Sequence, residues 1–292
     1  MTASELLRSG IEKLKGSGIS EPENDARELF EYVSGWKKSY YYAHSSECMD
    51  NITIEKFETC LKLRSKRIPI QRITGEREFM GLDFYVEDCL IPRQDTEILV
   101  EEVLKYIKNG SKPVRLLDIC TGTGCIPISI LKFSEGVTAL ASDISEKALH
   151  TAEKNRGRNG LTEKALELIK SDLFENIPDF LSGKFDIITS NPPYIPTEVI
   201  ETLEPEVKDN DPFLALDGGD DGLDLYRRLI PEAGRFLTDN GRIFLEIGSD
   251  QAEEVTGFLE KAGYSDIRVI KDLTGLDRVV SANNNIQEIY HV

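Results

Sequence analysis

The sequence predicts an α/β protein whose mostly parallel sheet, covered by helices on both faces, follows a small all-α unit. Three observations lead there. From Val114 onward, apolar runs of strand length alternate with amphipathic helical stretches. Those runs, such as VRLLDIC and FDIITS, are near-continuous in apolar residues, as strands covered on both faces require. Residues 1–68 show helical spacing alone.

The elements follow in order. Leu6, Leu7, Ile11 and Leu14 form one stripe of a helix over residues 3–16. Pro22 opens a second helix that Gly35 ends. KKSYYYAH is a short helical or irregular piece, and ITIEKFETCLKLRSKR is helical again, closed by Pro69. Short alternating runs beside Gly75 and Gly81 predict a β-hairpin. A helix then starts at Asp95 or Thr96 and buries Leu99, Val100, Val103, Leu104 and Ile107. Strands follow at VRLLDIC, VTALASDIS, ALELIKSDLF, KFDIITSNPPY and GRIFLEIG, separated by helices, and two final strands lie in SDIRVIKDLTGLDRVVSA.

Composition narrows the class. The chain has 292 residues, 40% of them hydrophobic, enough for a sizeable core without cross-links. Its five cysteines, Cys48, Cys60, Cys89, Cys120 and Cys125, are odd in number, scattered and never in a CxxC pair. That argues against disulfides and structural zinc, so no metal is expected. No apolar run is long enough to span a bilayer, and a cytoplasmic, monomeric protein is expected. The net charge is -17, most of it after residue 90, which disfavours a polyanion partner for the second part. The cluster Lys62, Arg64, Lys66, Arg67, Arg72 and Arg77 reads as a solvated helix face and linker.

Two places carry chemistry. In LLDICTGTGCIPISI, Asp118, Ile119, Cys120, Thr121, Gly122 and Gly124 lie between the first sheet strand and its helix, where open α/β sheets bind ligands. Cys125 and Ile126 replace the Lys-Ser/Thr of a phosphate loop, and Pro127 replaces the third glycine of a dinucleotide fingerprint. S-adenosylmethionine needs no anion cradle, and Asp118 can accept from its ammonium. Asp143 ends the next strand, where a carboxylate accepts from ribose hydroxyls, or else caps the following helix. Asp172 can accept from an adenine amino group, and Leu173 can cover the ring.

The second place is Asn191-Pro192-Pro193-Tyr194, at the end of the fourth strand. The prolines fix the backbone and remove N–H donors while leaving carbonyl acceptors. Asn191 adds a side-chain carbonyl, and Tyr194 adds a flat face. Such a corner holds a planar NH₂ by both hydrogens and turns its lone pair towards a methyl donor. Adenine and glutamine both satisfy that description.

Asn-Pro-Pro-Tyr, TGEREFMGLDFYVEDCLIPRQDTEILVE and LALDGGDDGLDLYRRLI together resemble the HemK/PrmC family of release-factor glutamine N5-methyltransferases. The resemblance implies a Rossmann-like class I S-adenosylmethionine-dependent methyltransferase fold with a seven-stranded sheet. It also implies a helical substrate-recognition domain over 1–72, a hairpin linker over 73–92 and a catalytic domain over 93–292. Asp118 to Gly122, Asp143, Leu173 and Asn191 would then contact S-adenosylmethionine. Asn191, Pro192, Pro193 and Tyr194 would hold the glutamine of a Gly-Gly-Gln loop in class-1 release factors, with Arg93 and Thr96 shaping the pocket. Gln94 and Cys120 depart from the family's usual proline and glycine. Cys120 is tolerable there if its φ stays negative. The rival readings are a ribosomal-protein glutamine methyltransferase, a nucleic-acid adenine methyltransferase and a non-enzymatic binding module.

Overall fold

The computed structural model describes residues 1–110 and 113–284. The chain divides into two compact units. The first comprises Met1–Glu76 with Glu204–Asn210, and the second comprises Arg77–Leu203 with Asp211–Val292. Among the described residues, no helix is long and apolar enough to cross a membrane.

The first unit is helical. Its helices span Ala3–Gly16, Pro22–Ser34, Lys38–His44, Asn51–Arg64 and Ile70–Thr74. Thr2 and Glu5 close the first with reciprocal backbone bonds at 3.2 and 2.9 Å, and Asp50 caps the fourth through the Thr53 N–H. The stripe read from the sequence is the buried one: Leu6, Leu7 and Leu14 pack with Leu29, Phe30, Phe57 and Leu61. Phe30 meets the Phe57 ring edge-on at 5.9 Å. Pro69 does not close the fourth helix. That helix stops at Arg64, and Pro69 occupies the N-cap of the helix Ile70–Thr74, where its fixed φ suits the entry.

The basic cluster differs from the solvated face expected of it. Arg64 is buried, its Nε 2.6 Å from Asp25 and its Nη1 3.0 Å from Glu206. Arg67 joins Glu204 at 2.8 Å and Glu206 at 2.9 Å. These pairs place Glu204–Asn210, a segment far away in sequence, inside the helical unit.

The second unit begins with the hairpin β1 (Glu76–Phe79) and β2 (Leu82–Tyr85). The main sheet consists of β3 (Val114–Ile119), β4 (Val137–Asp143), β5 (Leu166–Lys170), β6 (Phe185–Ser190), β7 (Leu237–Glu246), β8 (Ser265–Lys271) and β9 (Asp277–Asn283). Their spatial order is β5-β4-β3-β6-β7-β9-β8. Pairing is parallel from β5 to β7 and antiparallel through β9 and β8. One apolar layer, with Tyr226, Leu229, Ile230 and Phe236 of the helix Asp224–Phe236, covers one face. A second, with Leu99, Val100, Val103, Ile126 and Ile128, covers the other, so the sheet is buried on both sides.

β5 is shorter than the apolar run suggests. It ends at Lys170, and Leu173 turns to a φ of 48°, which extended backbone cannot include. Asp172 and Leu173 therefore lie beyond the strand rather than closing it.

Removing Arg64 leaves two carboxylates facing each other without their shared cation. The Arg64→Ala variant should lose about 2–3 kcal/mol of stability, a value reduced because Asp25 and Glu206 keep some solvent access. Urea unfolding followed by circular dichroism measures this, and an unchanged midpoint would show that the pairs contribute nothing net.

Candidate active site

The strand order reverses between β4 and β6 around β3, which is where open α/β sheets form a ligand crevice. Register then sets the neighbours. Ile119 of β3 pairs with Ser190 of β6, and Ser190 pairs with Leu245 of β7. The Ser190 hydroxyl donates to the Ile119 carbonyl at 2.8 Å. The loop starting at Cys120, the corner starting at Asn191 and the carboxylate of Glu246 therefore leave three adjacent strands at one level.

A cavity of about 120 Å³ opens at that level. Cys120, Thr121, Gly122, Asp143, Asn191 and Pro193 line it, and so do Arg93 and Thr96. Ile119, Gly124, Asp172, Leu173, Pro192 and Tyr194 are not among the described residues that line it. Asp172 is paired with Arg228 at 2.9 Å, and Leu173 packs in the core beside Phe174. Ile119 is wholly buried under the loop.

Asp118 is also wholly buried and outside the lining. Its Oδ1 accepts from the Thr189 hydroxyl at 2.6 Å, while Oδ2 is buried with no hydrogen-bond partner. Burial pushes its carboxyl up to about 7, against the pull of the Thr121 and Thr189 hydroxyls. The Thr121 hydroxyl, close enough to favour the charged form of Asp118, is itself buried without a hydrogen bond of ordinary length. Asp143 does not cap the next helix; Ser145 does, accepting from the Ala148 N–H. Asp143 instead accepts from the Gly122 N–H at 2.8 Å and the Ser145 N–H at 2.9 Å, which clamps the glycine loop. Burial raises its carboxyl, and those N–H groups oppose the rise.

Cys120 takes a φ of +60°, contrary to the negative value its tolerance required. The Cβ of an L-residue crowds the following carbonyl there, which costs about 1–2 kcal/mol. The loop has to reverse directly after β3, and the strained residue persists because Thr121 is pinned through its N–H to the Ser142 carbonyl at 2.9 Å.

The corner Asn191-Pro192-Pro193-Tyr194 is held from several sides. Gln251 Nε2 donates to the Tyr194 carbonyl at 2.9 Å and to the Gly222 carbonyl at 3.3 Å. A Cβ on Gly222 would fall 2.3 Å from the Tyr194 carbonyl oxygen, so only glycine admits this approach. The Tyr194 hydroxyl donates to Glu246 Oε1 at 3.4 Å, and Asn191 Nδ2 donates to Thr96 Oγ1 at 3.3 Å. The carbonyls of Pro192 and Pro193 accept no hydrogen bond from the described residues. Arg93 pairs with the buried Asp211 at 2.5 Å. Glu246 and Gln251 were not anticipated; their only signal in the sequence is polarity at the end of an apolar strand or soon after it.

This fold and this crevice define a Rossmann-like class I S-adenosylmethionine-dependent methyltransferase. Residues 94–204 match the methyltransferase small domain, and residues 5–75 match the PrmC N-terminal domain. A methyltransferase from Pyrococcus furiosus shares the fold, with a TM-score of 0.51 and 21% identity over 70% of this chain and 89% of that one. The chain is 40% identical over 284 residues to the release factor glutamine methyltransferase of Agrobacterium fabrum, covering 96% of each. It is 42% identical over 260 residues to that of Clostridium acetobutylicum, covering 88% of this chain and 90% of the relative. The chain belongs to the release factor glutamine methyltransferase family.

Replacing Cys120 by glycine should relieve the left-handed strain and raise stability by about 1 kcal/mol. Thermal unfolding of the two proteins side by side tests this; a lower midpoint for the glycine variant would show that the thiol's packing outweighs the strain.

Proposed function

We propose that this enzyme methylates the side-chain amide nitrogen of the glutamine in the Gly-Gly-Gln loop of class-1 release factors. The observation that carries the reading is the pair of unengaged acceptors at the corner. Asn191 has its Nδ2 bound to Thr96, so its Oδ1 is the atom left for a ligand. The carbonyls of Pro192 and Pro193 have no donor among the described residues, and Pro193 lines the cavity beside Asn191. Two such acceptors take both hydrogens of an amide NH₂ and fix its plane. The nitrogen lone pair, delocalised into the amide carbonyl, is a weak nucleophile, so orientation supplies much of the rate. Tyr194, with its hydroxyl on Glu246 and its carbonyl on Gln251, holds the corner rigid. The helical unit is proposed to grip the protein substrate, as the family resemblance implies.

The cofactor of this reading is S-adenosylmethionine, which supplies an electrophilic methyl group on a sulfonium sulfur. The residues present fit it. Thr121 lines the cavity with an unpartnered hydroxyl oxygen suited to an ammonium, and the buried Asp118 carboxylate, near enough to feel that hydroxyl, adds negative charge. Asp143 keeps lone pairs for ribose hydroxyls while it holds the loop. Asp172 and Leu173 lie away from the cavity lining, which leaves the adenine end to be held by the residues that do line it, Ile144 among them.

Mass spectrometry of a release factor incubated with the enzyme and S-adenosylmethionine should show one added methyl group, on the Gly-Gly-Gln peptide. Methylation of a ribosomal protein or of DNA, with none on the release factor, would overturn the substrate.

Asp118 generates a pH prediction. With its carboxyl near 7, it is neutral below that value and anionic above it. A cationic amino group prefers the anion, so binding has to expel a proton at low pH. Affinity for S-adenosylhomocysteine should therefore weaken about tenfold per unit as pH falls below 7. Asp118→Asn should bind more weakly at pH 8 and lose that slope. Calorimetric titration measures both, and a slope that survives in the variant assigns it to another group.

A further inference from the structure

Large apolar side chains left in water one at a time are ordinary, and Phe180 ahead of β6 needs no further reason. The turn Phe213–Ala215 differs, because it exposes two in succession. Phe213 is 54% exposed and Leu214 is 56% exposed. Polar residues usually fill such a turn, so an adjacent apolar pair calls for something to cover it.

The turn is not free to tuck these side chains in, because both of its ends are anchored. On one side Asp211, its side chain wholly buried, holds the Arg93 guanidinium at 2.5 Å. On the other Leu216 is buried, and its carbonyl accepts from the Ile195 N–H at 3.0 Å, directly after the corner. Between them the Ala215 N–H donates to the Pro212 carbonyl at 2.8 Å, and the Asp217 N–H donates to the Phe213 carbonyl at 3.0 Å. The backbone is fixed against the corner while Phe213 and Leu214 stay outside.

Their position says what covers them. Pro212, Leu214 and Ala215 line the same cavity as Asn191 and Pro193. Leu214 therefore belongs to the cavity wall and to the outer surface at once, which makes it rim, and Phe213 continues that apolar surface outward. Among the described lining residues Arg93 is the one cation, and Asp211 already holds it, while Asp88 and Asp143 are acidic. A phosphate backbone finds no unpaired cation on this wall, whereas an uncharged polypeptide loop can cover the rim without stranding a charge. A glutamine side chain is short, so its amide reaches Asn191 only when its own backbone comes to the mouth. Glycines beside it let that backbone approach closely.

We infer that Phe213 and Leu214 are the docking edge for the protein substrate, covered by the uncharged loop that delivers the glutamine to Asn191. The inference rests on the glutamine reading above and adds where the flanking chain lies.

The test compares wild type with Phe213→Ser, Leu214→Ser and the control Phe180→Ser. Phe180 is also exposed but precedes β6, at the opposite end of the strand from the corner. Both rim variants should raise KM for the release factor about tenfold, and Phe180→Ser should leave it within twofold. Phe213→Ser should keep kcat and the Kd for S-adenosylhomocysteine within twofold, the signature of binding lost equally from ground and transition states. A second measurement does not depend on turnover or on a variant's stability. A benzophenone amino acid placed at position 213 of the full chain, irradiated with release factor and S-adenosylhomocysteine, should cross-link to the peptide that carries Gly-Gly-Gln; the same group at position 180 should not. Unmoved KM values in both rim variants of an active enzyme, or cross-links from position 213 that fall outside that peptide, would overturn the docking edge and leave the glutamine reading standing. A wild type that methylates no release factor would overturn the glutamine reading itself.

Discussion

The parallel pairing of β6 between β3 and β7 is the constraint from which the active site follows. One residue of slip would turn every side chain of β6 to the opposite face. Because Ile119, Ser190 and Leu245 are at one level, the next residues in each strand, Cys120, Asn191 and Glu246, emerge together. The register is itself locked by burial: Ile187 and Ile188 of β6 belong to the two apolar layers on opposite faces. The burial that holds the sheet together therefore also sets the geometry of the candidate site.

Around that constraint the site is built from close backbone approaches more than from side chains. The glycine loop is tied to Asp143, and Tyr194 is tied to Gln251 and abuts Gly222. This explains the segment LALDGGDDGLD in physical terms. It returns along the corner, with the Ile195 N–H bound to the Leu216 carbonyl and the Gly218 N–H to the Ile195 carbonyl. Its glycines admit a neighbouring chain that any side chain would displace. The prolines of the corner and the glycines facing it are complementary: one chain lacks donors and flexibility, the other lacks side chains.

The sequence made some of this legible and hid the rest for identifiable reasons. Period and composition suffice for elements, because a strand buried on both faces must be apolar throughout and a half-buried helix must be striped. The corner was legible because proline and asparagine after a strand have few other uses. Asp172 and Leu173 were misplaced because an apolar run does not reveal where backbone leaves the extended region; Leu173 does so at a positive φ. Cys120 was misjudged for the same reason, since φ is set by where Thr121 is anchored. Arg64 and Arg67 looked like solvated charge because their partner carboxylates arrive from Glu204 and Glu206, about 140 residues away in sequence.

Glu246 shows most clearly what a one-dimensional reading omits. In sequence it is one acid among 52 Asp and Glu residues, ending a strand where a polar residue excites no notice. Its surroundings come from separate elements: the Tyr194 hydroxyl after β6 donates to its carboxylate, and the charge of Arg278 on β9 favours its ionised form. A buried carboxylate with only one close hydrogen bond is an expensive feature, and an apolar residue of similar size would cost the fold less. What such a residue cannot do is impose polarity on its neighbours. Hydroxyls and amides are ambivalent in direction, each able to donate or accept. Tyr194 carries such a hydroxyl, and an ionised Glu246 fixes it as the donor.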